Sequence, residues 1–362
     1  MTFPEFVYMG WAKSRPSARI NLARSGIEPC PVSLLGTRGK AIEIQHPAGY
    51  GWLPLRRAIA RRYRVLPDQV YPISGGASMA NWLACSSAID GERGVEAIVE
   101  RPTYEQLLRL PQALGCRVRR LDRRFQEGYA IDLDRFEALV TRRTRVALVS
   151  NLHNPSGARI DLPALGRMAA ILRRVGAWLV VDEVYLECLF RAGTESAVLA
   201  GPNVIATNSL TKAYGLDGLR AGWILGPEEI IARVRRINDL MCVNGVAPGE
   251  QLALQALRKL KAIRQRADRL LDSGLELITN FLIREQRLEA VLPPGGNVIF
   301  PRLARTFNSE TLADHLHRRY STLVVPGKFF ESPRHIRLSF GCGPEKLARG
   351  LRNVSSALDD LS

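Results

Sequence analysis

The sequence predicts an α/β protein with a large domain, built on a mostly parallel (mixed) seven-stranded sheet flanked by helices, and a smaller α+β domain formed by the N- and C-terminal segments. Two observations support this prediction. Through the middle of the chain, short apolar runs rich in β-branched residues alternate with amphipathic helical segments, which is typical of βαβ units around a parallel sheet. Beyond residue 227 the alternation ends, and a long helical tract leads into short strands and two further helices.

The predicted elements of the large domain follow one another in a regular order. Buried strands are expected at the apolar runs VEAIVE (95–100), RVALVS (145–150), AWLVVD (177–182), NVIATNS (203–209) and AGWILG (221–226). Helices are expected where apolar residues recur with helical periodicity, over 53–63, 77–89, 103–114 and near 161–175. Because functional groups in such sheets gather at the carboxyl ends of the strands, the residues that follow each strand are the first candidates for chemistry.

The C-terminal part of the chain is predicted to form the smaller domain together with the N-terminal segment. Its expected elements are a helical tract to about 287, broken near 243–250, strands at 298–300, 322–325 and 335–340, and helices at 309–319 and 344–359. The N-terminal segment has no parallel-strand pattern of its own, so we expect it to pack with these elements. The predicted division is 1–44 for the N-terminal segment, 45–245 for the large domain and 246–362 for the small domain.

The high positive charge suggests nucleic-acid binding, but the distribution of the charges opposes this interpretation. The chain has 51 Lys and Arg against 35 Asp and Glu, a formal net charge of +16, and only seven of the basic residues are lysines. The arginines are spread from Arg15 to Arg352, without a basic tail, a helix-turn-helix pattern or alternation with aromatic residues. Arginine-rich usage on a solvated surface explains the excess, so no nucleic-acid partner is predicted.

The cysteine spacing and the hydropathy of the chain predict the cellular compartment of the protein. The six cysteines lie far apart and include no CxxC pair, which favours a reducing environment over a disulfide framework. The N-terminal residues MTFPEFVYMGWAKSRP lack the pattern of a signal peptide, and no apolar run approaches the roughly 20 residues of a membrane span. We therefore expect a soluble, cytoplasmic protein with no membrane partner, and we predict no metal site.

Two segments carry polar residues at the end of an expected strand, and each of them could bind a ligand. In ISGGASMANWLA (73–84) a Gly-rich turn opens directly into a helix, and free amides at a helix N-terminus attract anions. A plain tight turn is an equally good interpretation of that segment alone. In SNLHNPSG (150–157) the proline holds Asn154 on a fixed loop, although a turn asparagine that bonds its own backbone is the simpler alternative.

Two later strands end in charged residues. The run VVDEVYLE (180–187) ends an apolar strand at Asp182, whose buried carboxylate would need a cationic partner unless it caps a helix. In TNSLTKAYGLDGLRAGW (207–223), Lys212 lies among Ser, Thr and Gly residues, and Arg220 follows eight residues later. A lone lysine there would normally be a solvated surface residue. Each of the four segments has an ordinary explanation when taken alone. Only their combination is specific evidence for a functional site.

In combination the segments resemble fold-type I enzymes that depend on pyridoxal 5′-phosphate (PLP), in particular the class I/II aminotransferases. The resemblance extends from about residue 20 to 342 and rests on INLARSG, YGWLPLRRAIA, SGGAS, ERPTY, NLHNPSG, VDEVY, SLTKAYGLDGLRAGW, PPGGNVIF, VVPGKFF and HIRLSF. The spacing also agrees, with 28 residues from Asn154 to Asp182 and 30 from Asp182 to Lys212. The resemblance implies PLP as cofactor, an amino acid and a 2-oxo acid as substrates, and a homodimer, because such sites are usually completed across a two-fold interface.

The resemblance also implies three catalytic residues. Lys212 would hold the cofactor as a Schiff base and later shuttle the Cα proton, which requires an amine with a lowered pKa. Asp182 would pair with the pyridine nitrogen and keep it protonated, so that the ring accepts electrons. Tyr104, in ERPTY, would stack on the ring face, unless it is an ordinary core tyrosine.

Further residues would hold the rest of the cofactor and the substrate. Asn154 and the phenol of Tyr185 would donate hydrogen bonds to the phenolate oxygen of the ring. The phosphate would rest on the Gly-rich turn and on side chains nearby, with contacts from Gly76, Ala77, Ser78, Ser209 and Arg220. Arg337 would bind the substrate α-carboxylate, Asn154 would also contact the substrate, and Gly26 would allow the N-terminal segment to close over the carboxylate.

Two segments depart from the pattern of the family. Many relatives carry a tyrosine before YGWLPLRRAIA that reaches the phosphate of the neighbouring subunit, whereas this chain reads IEIQHPAGYG. Gln45, His46 or Tyr50 would take that place, although His46 before a proline is also typical of an ordinary loop. INLARSGIEPC differs in length from the usual opening, and Asn297 follows the Gly pair in PPGGNVIF. Because these segments shape the side-chain pocket, no amino donor or acceptor is inferred.

Three functions are compatible with these residues to different degrees. Ping-pong transamination is the leading prediction. A PLP-dependent lyase, decarboxylase or cyclase in a specialised biosynthetic pathway is the alternative, because the motifs do not encode which substrate bond is broken. A degenerate fold that serves as a ligand sensor or DNA-bound regulator is disfavoured, because Lys212 and Asp182 are retained.

Overall fold

The structure, a computed structural model, describes residues 3–36, 42–45, 49–189, 195–304 and 308–362. Helix α1 (Val7–Ser14) begins the described chain, and strand β1 (Ile20–Asn21) follows it. β1 pairs in parallel with Thr322–Leu323 near the other end of the sequence. The N-terminal segment therefore joins the C-terminal elements, as the fold prediction required. The predicted boundaries at residues 45 and 246 stay predictions.

A seven-stranded sheet forms the centre of the large domain. Its strands are β2 (Val70–Ser74), β3 (Glu96–Arg101), β4 (Arg117–Asp122), β5 (Thr144–Ser150), β6 (Trp178–Asp182), β7 (Val204–Ser209) and β8 (Ala221–Leu225). The strand order is β2-β8-β7-β6-β5-β3-β4, and β8 runs antiparallel to both of its neighbours. The mostly parallel, mixed sheet is confirmed, including the five strands predicted at apolar runs.

The two edge strands, β2 and β4, were not identified individually in the sequence. β4 reads RVRRLD, and an edge strand that is only partly buried does not need a continuous apolar run. β2 reads VYPIS and contains a proline, which sheets tolerate at their edges because the missing amide is not needed for pairing. Both strands therefore lack the continuous apolar run by which the central strands were predicted.

Helices cover both faces of the sheet. They are α2 (Leu53–Tyr63), α3 (Ala77–Ile89), α4 (Glu105–Ala113), α5 (Leu133–Leu139), α6 (Leu162–Arg173), α7 (Thr211–Tyr214) and α8 (Glu228–Met241). Leu148 of β5 packs with α3 and α8 on one face, whereas the next residue, Val149, packs with α6 on the other. This alternation buries each strand on both sides and explains why its sequence is apolar throughout.

The remaining helices and strands follow α8. They are α9 (Ala247–Arg258), α10 (Leu260–Arg284), β9 (Leu288–Glu289), β10 (Val298–Ile299), β11 (Arg302–Leu303), α11 (Ser309–Tyr320), β12 (Thr322–Leu323), β13 (Val325–Pro326), β14 (Ile336–Ser339) and α12 (Pro344–Asp360). α9 packs against α2 of the large domain, whereas α10, α11 and α12 pack together with the short strands as the smaller domain. β14 lies between β10 and β13 in an antiparallel sheet. No helix in the described ranges is both long enough and apolar enough to cross a membrane.

Candidate active site

A cavity of about 540 Å³ lies at the carboxyl ends of the parallel strands. Eight of the residues predicted from the sequence line it together, namely Ala77, Ser78, Tyr104, Asn154, Asp182, Tyr185, Lys212 and Arg220. They come from segments that are far apart in the chain, and the topology of the sheet brings their strand ends to one edge. The cavity is therefore the candidate active site.

One end of the cavity is suited to an anion. Helix α3 begins at Ala77 after Gly76, and no side chain caps its N-terminus. The Arg220 guanidinium lies beside this turn, where its Nη2 donates to the Gly75 carbonyl at 2.5 Å. A Cβ on Gly222 would lie 2.6 Å from the Gly76 carbonyl carbon, so the strand and turn approach closely only with glycine there. Free amides, a helix dipole and an arginine together form a phosphate site.

Ser209 and Thr211 occupy different places at this end. Ser209 is fully buried, and its hydroxyl accepts a hydrogen bond from the Thr211 amide at 3.3 Å. Ser209 does not line the cavity, whereas Thr211 does. Phosphate binding by Ser209 stays a prediction, and Thr211 is a second candidate that the sequence motifs did not indicate.

Asp182 is held at the end of β6 by two neutral donors. Its Oδ1 accepts from the Val184 amide at 2.9 Å, and its Oδ2 accepts from Asn81 Nδ2 at 2.8 Å. Burial raises the pKa of this carboxyl above its ordinary value. In the described part of the chain, no arginine, lysine or histidine forms an ion pair with it. A buried carboxylate of this kind suits a cationic ligand.

Asn81 was not among the site residues predicted from the sequence. It lies on α3, is buried, and its Oδ1 in turn accepts from Thr207 Oγ1 at 2.5 Å on β7. Its two hydrogen bonds fix the side chain that orients Asp182. The available signal was a polar residue inside the otherwise apolar stretch ASMANWLA, one turn after the glycine pair.

The amine of Lys212 lies inside the cavity and is the central group of the site. Removal from bulk water lowers its pKa to about 8, and the positive charge of Arg337 nearby contributes to this. Lys212 Nζ donates a hydrogen bond to Ser25 Oγ at 2.5 Å. Ser25 lies within INLARSG, but no role was predicted for it. An amine with this pKa is partly neutral near physiological pH and can act as nucleophile and base.

The aromatic wall of the cavity contains Tyr104 and Tyr8. Their rings make an edge contact with centroids 5.9 Å apart, and the Tyr104 hydroxyl contacts Met9 Sδ at 3.8 Å. Burial raises the pKa of Tyr104 above its usual value, so its phenol stays neutral. Tyr8 belongs to α1, which thus closes one side of the cavity.

Arg337 is fully buried on β14, behind the cavity lining. Its guanidinium donates to Tyr8 Oη at 2.9 Å, to the Ala23 carbonyl at 3.1 Å and to Asn154 Oδ1 at 3.1 Å. Its Nε has no hydrogen-bond partner among the described residues. The structure brings Arg337 and Asn154, both predicted to bind the substrate, into contact, and Tyr8 is a further partner that was not predicted.

The segment around Gly26 lies directly against Lys212. A Cβ at Gly26 would lie 3.5 Å from Lys212 Cα, and the Ile27 amide donates to the Lys212 carbonyl at 3.1 Å. The Ser25 carbonyl accepts from Tyr185 Oη at 2.8 Å and from Asn297 Nδ2 at 3.0 Å. In this structure the Tyr185 hydroxyl therefore bonds the N-terminal segment, and its predicted bond to a cofactor oxygen stays a prediction.

The three candidates for the cross-subunit contact lie in different surroundings. Tyr50 Oη donates to Asp239 Oδ2 at 3.2 Å on α8, and the Arg235 guanidinium lies over its ring at 5.2 Å. Gln45 is exposed, and His46 lies outside the described residues. Their predicted role remains a prediction.

The fold and the site together define a PLP-dependent enzyme of fold type I. The model of the family "aminotransferase class I and II" matches residues 45–354, so the chain belongs to that family. The capreomycidine synthase of Streptomyces vinaceus is 30% identical over 90% of this chain and 84% of its own length. The arginine–pyruvate transaminase AruH of Pseudomonas aeruginosa is 29% identical over 85% of this chain and 80% of its own.

Two solved structures are similar over the entire chain. A PLP-dependent aminotransferase from Streptococcus suis has a TM-score of 0.92 and 27% identity, covering 100% of this chain and 99% of that one. The PLP-dependent cyclase OrfR has a TM-score of 0.90 and 26% identity with the same coverage. Relatives of both reaction types therefore share this fold.

The residues of the cavity fit PLP, the cofactor of this family. The uncapped N-terminus of α3 with Arg220 matches the phosphate, and the buried carboxylate of Asp182 matches a protonated pyridine nitrogen. Lys212 offers an amine with a lowered pKa between these two ends. Anion site, amine and carboxylate thus correspond to the phosphate, the aldehyde and the pyridine nitrogen of the cofactor.

Proposed function

We propose that the protein is an aminotransferase that moves an amino group between an amino acid and a 2-oxo acid. The observation that carries this proposal is the buried Lys212 amine, whose pKa is lowered to about 8, in one cavity with Asp182 and the anion site. When bound, the cofactor supplies an electron sink that weakens the bonds at the substrate Cα. The residues of the chain hold the reactants in place and move the proton.

The proposed roles of the chain's residues follow from their contacts. Asp182, oriented by Asn81, stabilises positive charge at the pyridine nitrogen. Lys212 holds the cofactor and, as a free amine, takes the proton from the substrate Cα and returns it to a neighbouring carbon. Tyr104 supports the ring face, and the first amides of α3 with Arg220 bind the phosphate.

Arg337 is proposed to bind the substrate α-carboxylate. A buried guanidinium with an unpartnered Nε needs a further acceptor, and a carboxylate provides two oxygens in matching geometry. Asn154 and Tyr8 already bond this guanidinium and keep its plane fixed. Gly26 allows the N-terminal segment to pass close to Lys212, so the bound substrate is enclosed.

The experiment that tests the proposal uses the holoenzyme with amino acids and no 2-oxo acid. L-arginine is the first probe, because AruH is named an arginine–pyruvate transaminase, and the other amino acids follow. Transamination gives one equivalent of 2-oxo acid per active site and then stops until pyruvate is added. A Lys212→Ala protein that retains full activity would refute this role of Lys212.

The second candidate function is a lyase or cyclase reaction on an amino acid with the same cofactor. The similarity to a capreomycidine synthase and to the cyclase OrfR favours this candidate. Its signature in the same experiment is continued turnover without any 2-oxo acid, with release of ammonia, carbon dioxide or a cyclised product. The two candidates thus differ in stoichiometry, and this difference distinguishes them for any amino acid that reacts.

We also propose that the protein is a homodimer that uses the exposed edge next to β2. Large apolar side chains are exposed there, with Leu240 90%, Val243 66%, Val246 57% and Ile44 83% accessible. The Val246 amide donates to Ser74 Oγ, directly before the glycine turn of the anion site. An apolar surface at this position suits a second copy that completes the site.

Light scattering after size exclusion tests the dimer. Leu240→Glu is expected to halve the measured mass, because a charge would be buried in the interface. Ile283→Glu is the matched control, since Ile283 is also exposed (69%) but lies on α10. A wild-type protein with the mass of a single chain would refute the proposal.

A further inference from the structure

The amine of Lys212 has a hydrogen-bond partner from a distant part of the chain. Ser25 Oγ lies 2.5 Å from Lys212 Nζ, although 187 residues separate the two in sequence. Both side chains line the cavity. Ser25 belongs to INLARSGIEPC, the N-terminal segment whose length departs from the family pattern.

Ser25 is held in place by bonds that do not involve its hydroxyl. Its carbonyl accepts hydrogen bonds from Tyr185 Oη and Asn297 Nδ2, at 2.8 and 3.0 Å. Asn297 is fully buried. Two residues later, the Ile27 amide bonds the Lys212 carbonyl at 3.1 Å. The backbone of this segment is therefore fastened around Lys212, and the position of the hydroxyl follows from it.

A hydroxyl suits the two protonation states of this amine. It donates a hydrogen bond to the lone pair of a neutral amine and accepts one from an ammonium group. A carboxylate at the same place would favour the ammonium form and raise the pKa of the lysine. A hydroxyl has no net charge, so it holds the nitrogen while the pKa of Lys212 stays near 8.

We propose that Ser25 is a positioning residue whose hydroxyl holds the free amine of Lys212 in place while that amine moves the substrate α-proton. This inference rests on the proposed function of Lys212. The proton leaves the substrate Cα and binds Nζ, and the electron pair of the broken C–H bond stays with the substrate and cofactor. The ammonium group then donates to Ser25 Oγ, and it later returns the proton, so Ser25 gains and loses no proton overall.

The first measurement is the exchange of the α-proton of L-arginine in D₂O, followed by proton NMR with the holoenzyme. Ser25→Ala is expected to slow this exchange about tenfold or more, with little change in KM, because one charge-assisted hydrogen bond is lost from the step. Ser25→Thr restores a hydroxyl and is expected to recover most of the rate. Ser14→Ala is the control, since Ser14 is an exposed residue near the N-terminus whose hydroxyl, within the described part of the chain, bonds only the Trp11 carbonyl.

The second measurement needs no substrate. Competitive acetylation of the full-length, cofactor-free protein, read by mass spectrometry across pH, gives the pKa of Lys212, and a value of about 8 is expected for the wild type. Ser25→Ala is expected to lower this pKa by about half a unit or more, because the hydroxyl stabilises the charged form more than the neutral one. The absorbance of bound PLP in each variant shows whether the cofactor site itself has been preserved.

Slower exchange and a lower pKa of Lys212, with cofactor binding retained, support the proposal. An unchanged exchange rate or an unchanged pKa in Ser25→Ala overturns it, and so does a loss of PLP binding, which assigns a structural role to Ser25. Failure of the proposed function looks different. If no amino acid reacts, the wild-type holoenzyme exchanges the α-proton of none of them, and the pKa of Lys212 alone decides whether the Ser25 contact exists. If the reaction is instead that of a lyase or cyclase, α-proton exchange is retained but no stoichiometric 2-oxo acid is formed, and the Ser25 test applies unchanged.

Discussion

The two ends of the cavity are built in different ways. The end that fits the cofactor consists of residues at strand ends of one sheet, such as Ala77, Asp182 and Lys212, each within a recognisable local motif. The end proposed for the substrate is formed by Tyr8 of the N-terminal segment and by Arg337 of the smaller domain. The sheet thus provides a rigid platform for the chemistry, whereas separately packed segments enclose the substrate.

Because of this difference, substitutions at the two ends of the cavity are expected to have different kinetic effects. Changes at the cofactor end are expected to reduce the rate of the chemical step with every amino acid. Changes at the substrate end are expected to affect KM and selectivity while the cofactor remains bound. That division is tested by substitutions at Asp182, Arg337 and Glu105 and by the pH dependence of the Lys212 amine. The largest effect is expected at Asp182.

Asp182→Asn is expected to reduce kcat about 10²- to 10³-fold, because a neutral amide cannot stabilise positive charge at the pyridine nitrogen. The half-reaction with each active amino acid, measured by rapid mixing, gives this number. Asp134→Asn, at an exposed carboxylate on α5, is the control. An Asp182→Asn enzyme with normal kcat and a raised KM would break the proposed division of the cavity.

Arg337→Lys is expected to raise KM for the amino acid about 10- to 100-fold with a smaller effect on kcat. Lysine keeps the charge but cannot bind a carboxylate through two parallel hydrogen bonds. Steady-state kinetics measures the change, and PLP absorbance confirms that the cofactor is bound. Arg334→Lys is the matched control, because Arg334 lies on the same segment, is exposed, and among the described residues its side chain bonds only the Leu303 carbonyl.

The pH dependence of α-proton exchange is expected to follow the Lys212 amine. Because burial lowers the pKa of this base from 10.5 to about 8, its neutral form makes up roughly a tenth of the population at pH 7 and roughly nine tenths at pH 9. The exchange rate should therefore rise about ninefold between these two values. A rate that falls over this interval would contradict the assignment of Lys212 as the base.

Glu105→Gln is expected to have the smallest effect, a rise in KM of about fivefold. Glu105 follows Tyr104, and its carboxylate accepts from the amides of Tyr8 and Val7 at 2.7 and 3.3 Å. It thereby fastens the N-terminus of α1, which carries Tyr8, to the large domain. The glutamine variant weakens this contact because it removes the negative charge.

The measurement for Glu105→Gln is again KM, with kcat and PLP binding expected to stay near wild-type values. Glu137→Gln on α5 is the control, because that glutamate forms only an exposed ion pair with Arg174. An unchanged KM would mean that α1 stays in place without this contact.

The central strands, the edge strands and the buried polar residues differ in how strongly the sequence indicates them. The central strands were found because burial on both faces requires continuous apolar runs, and their polar ends indicated Asn154, Asp182 and Lys212. The edge strands β2 and β4 were not found, because an edge position tolerates the proline of the buried β2 and partial exposure tolerates the arginines of β4. Asn81 was missed because a buried asparagine inside a helix is recognised only by the partners it meets.

The sequence by itself determined the fold class, the family and the cofactor, because the strand periodicity and the motifs at the strand ends are local patterns. Only the tertiary structure decided that Tyr8 bonds Arg337, that Glu105 fastens α1 and that Ser25 bonds the Lys212 amine. The physical reason is distance along the chain. These partners are separated by 97 to 329 residues, and only the packing of the N-terminal segment against both domains brings them together.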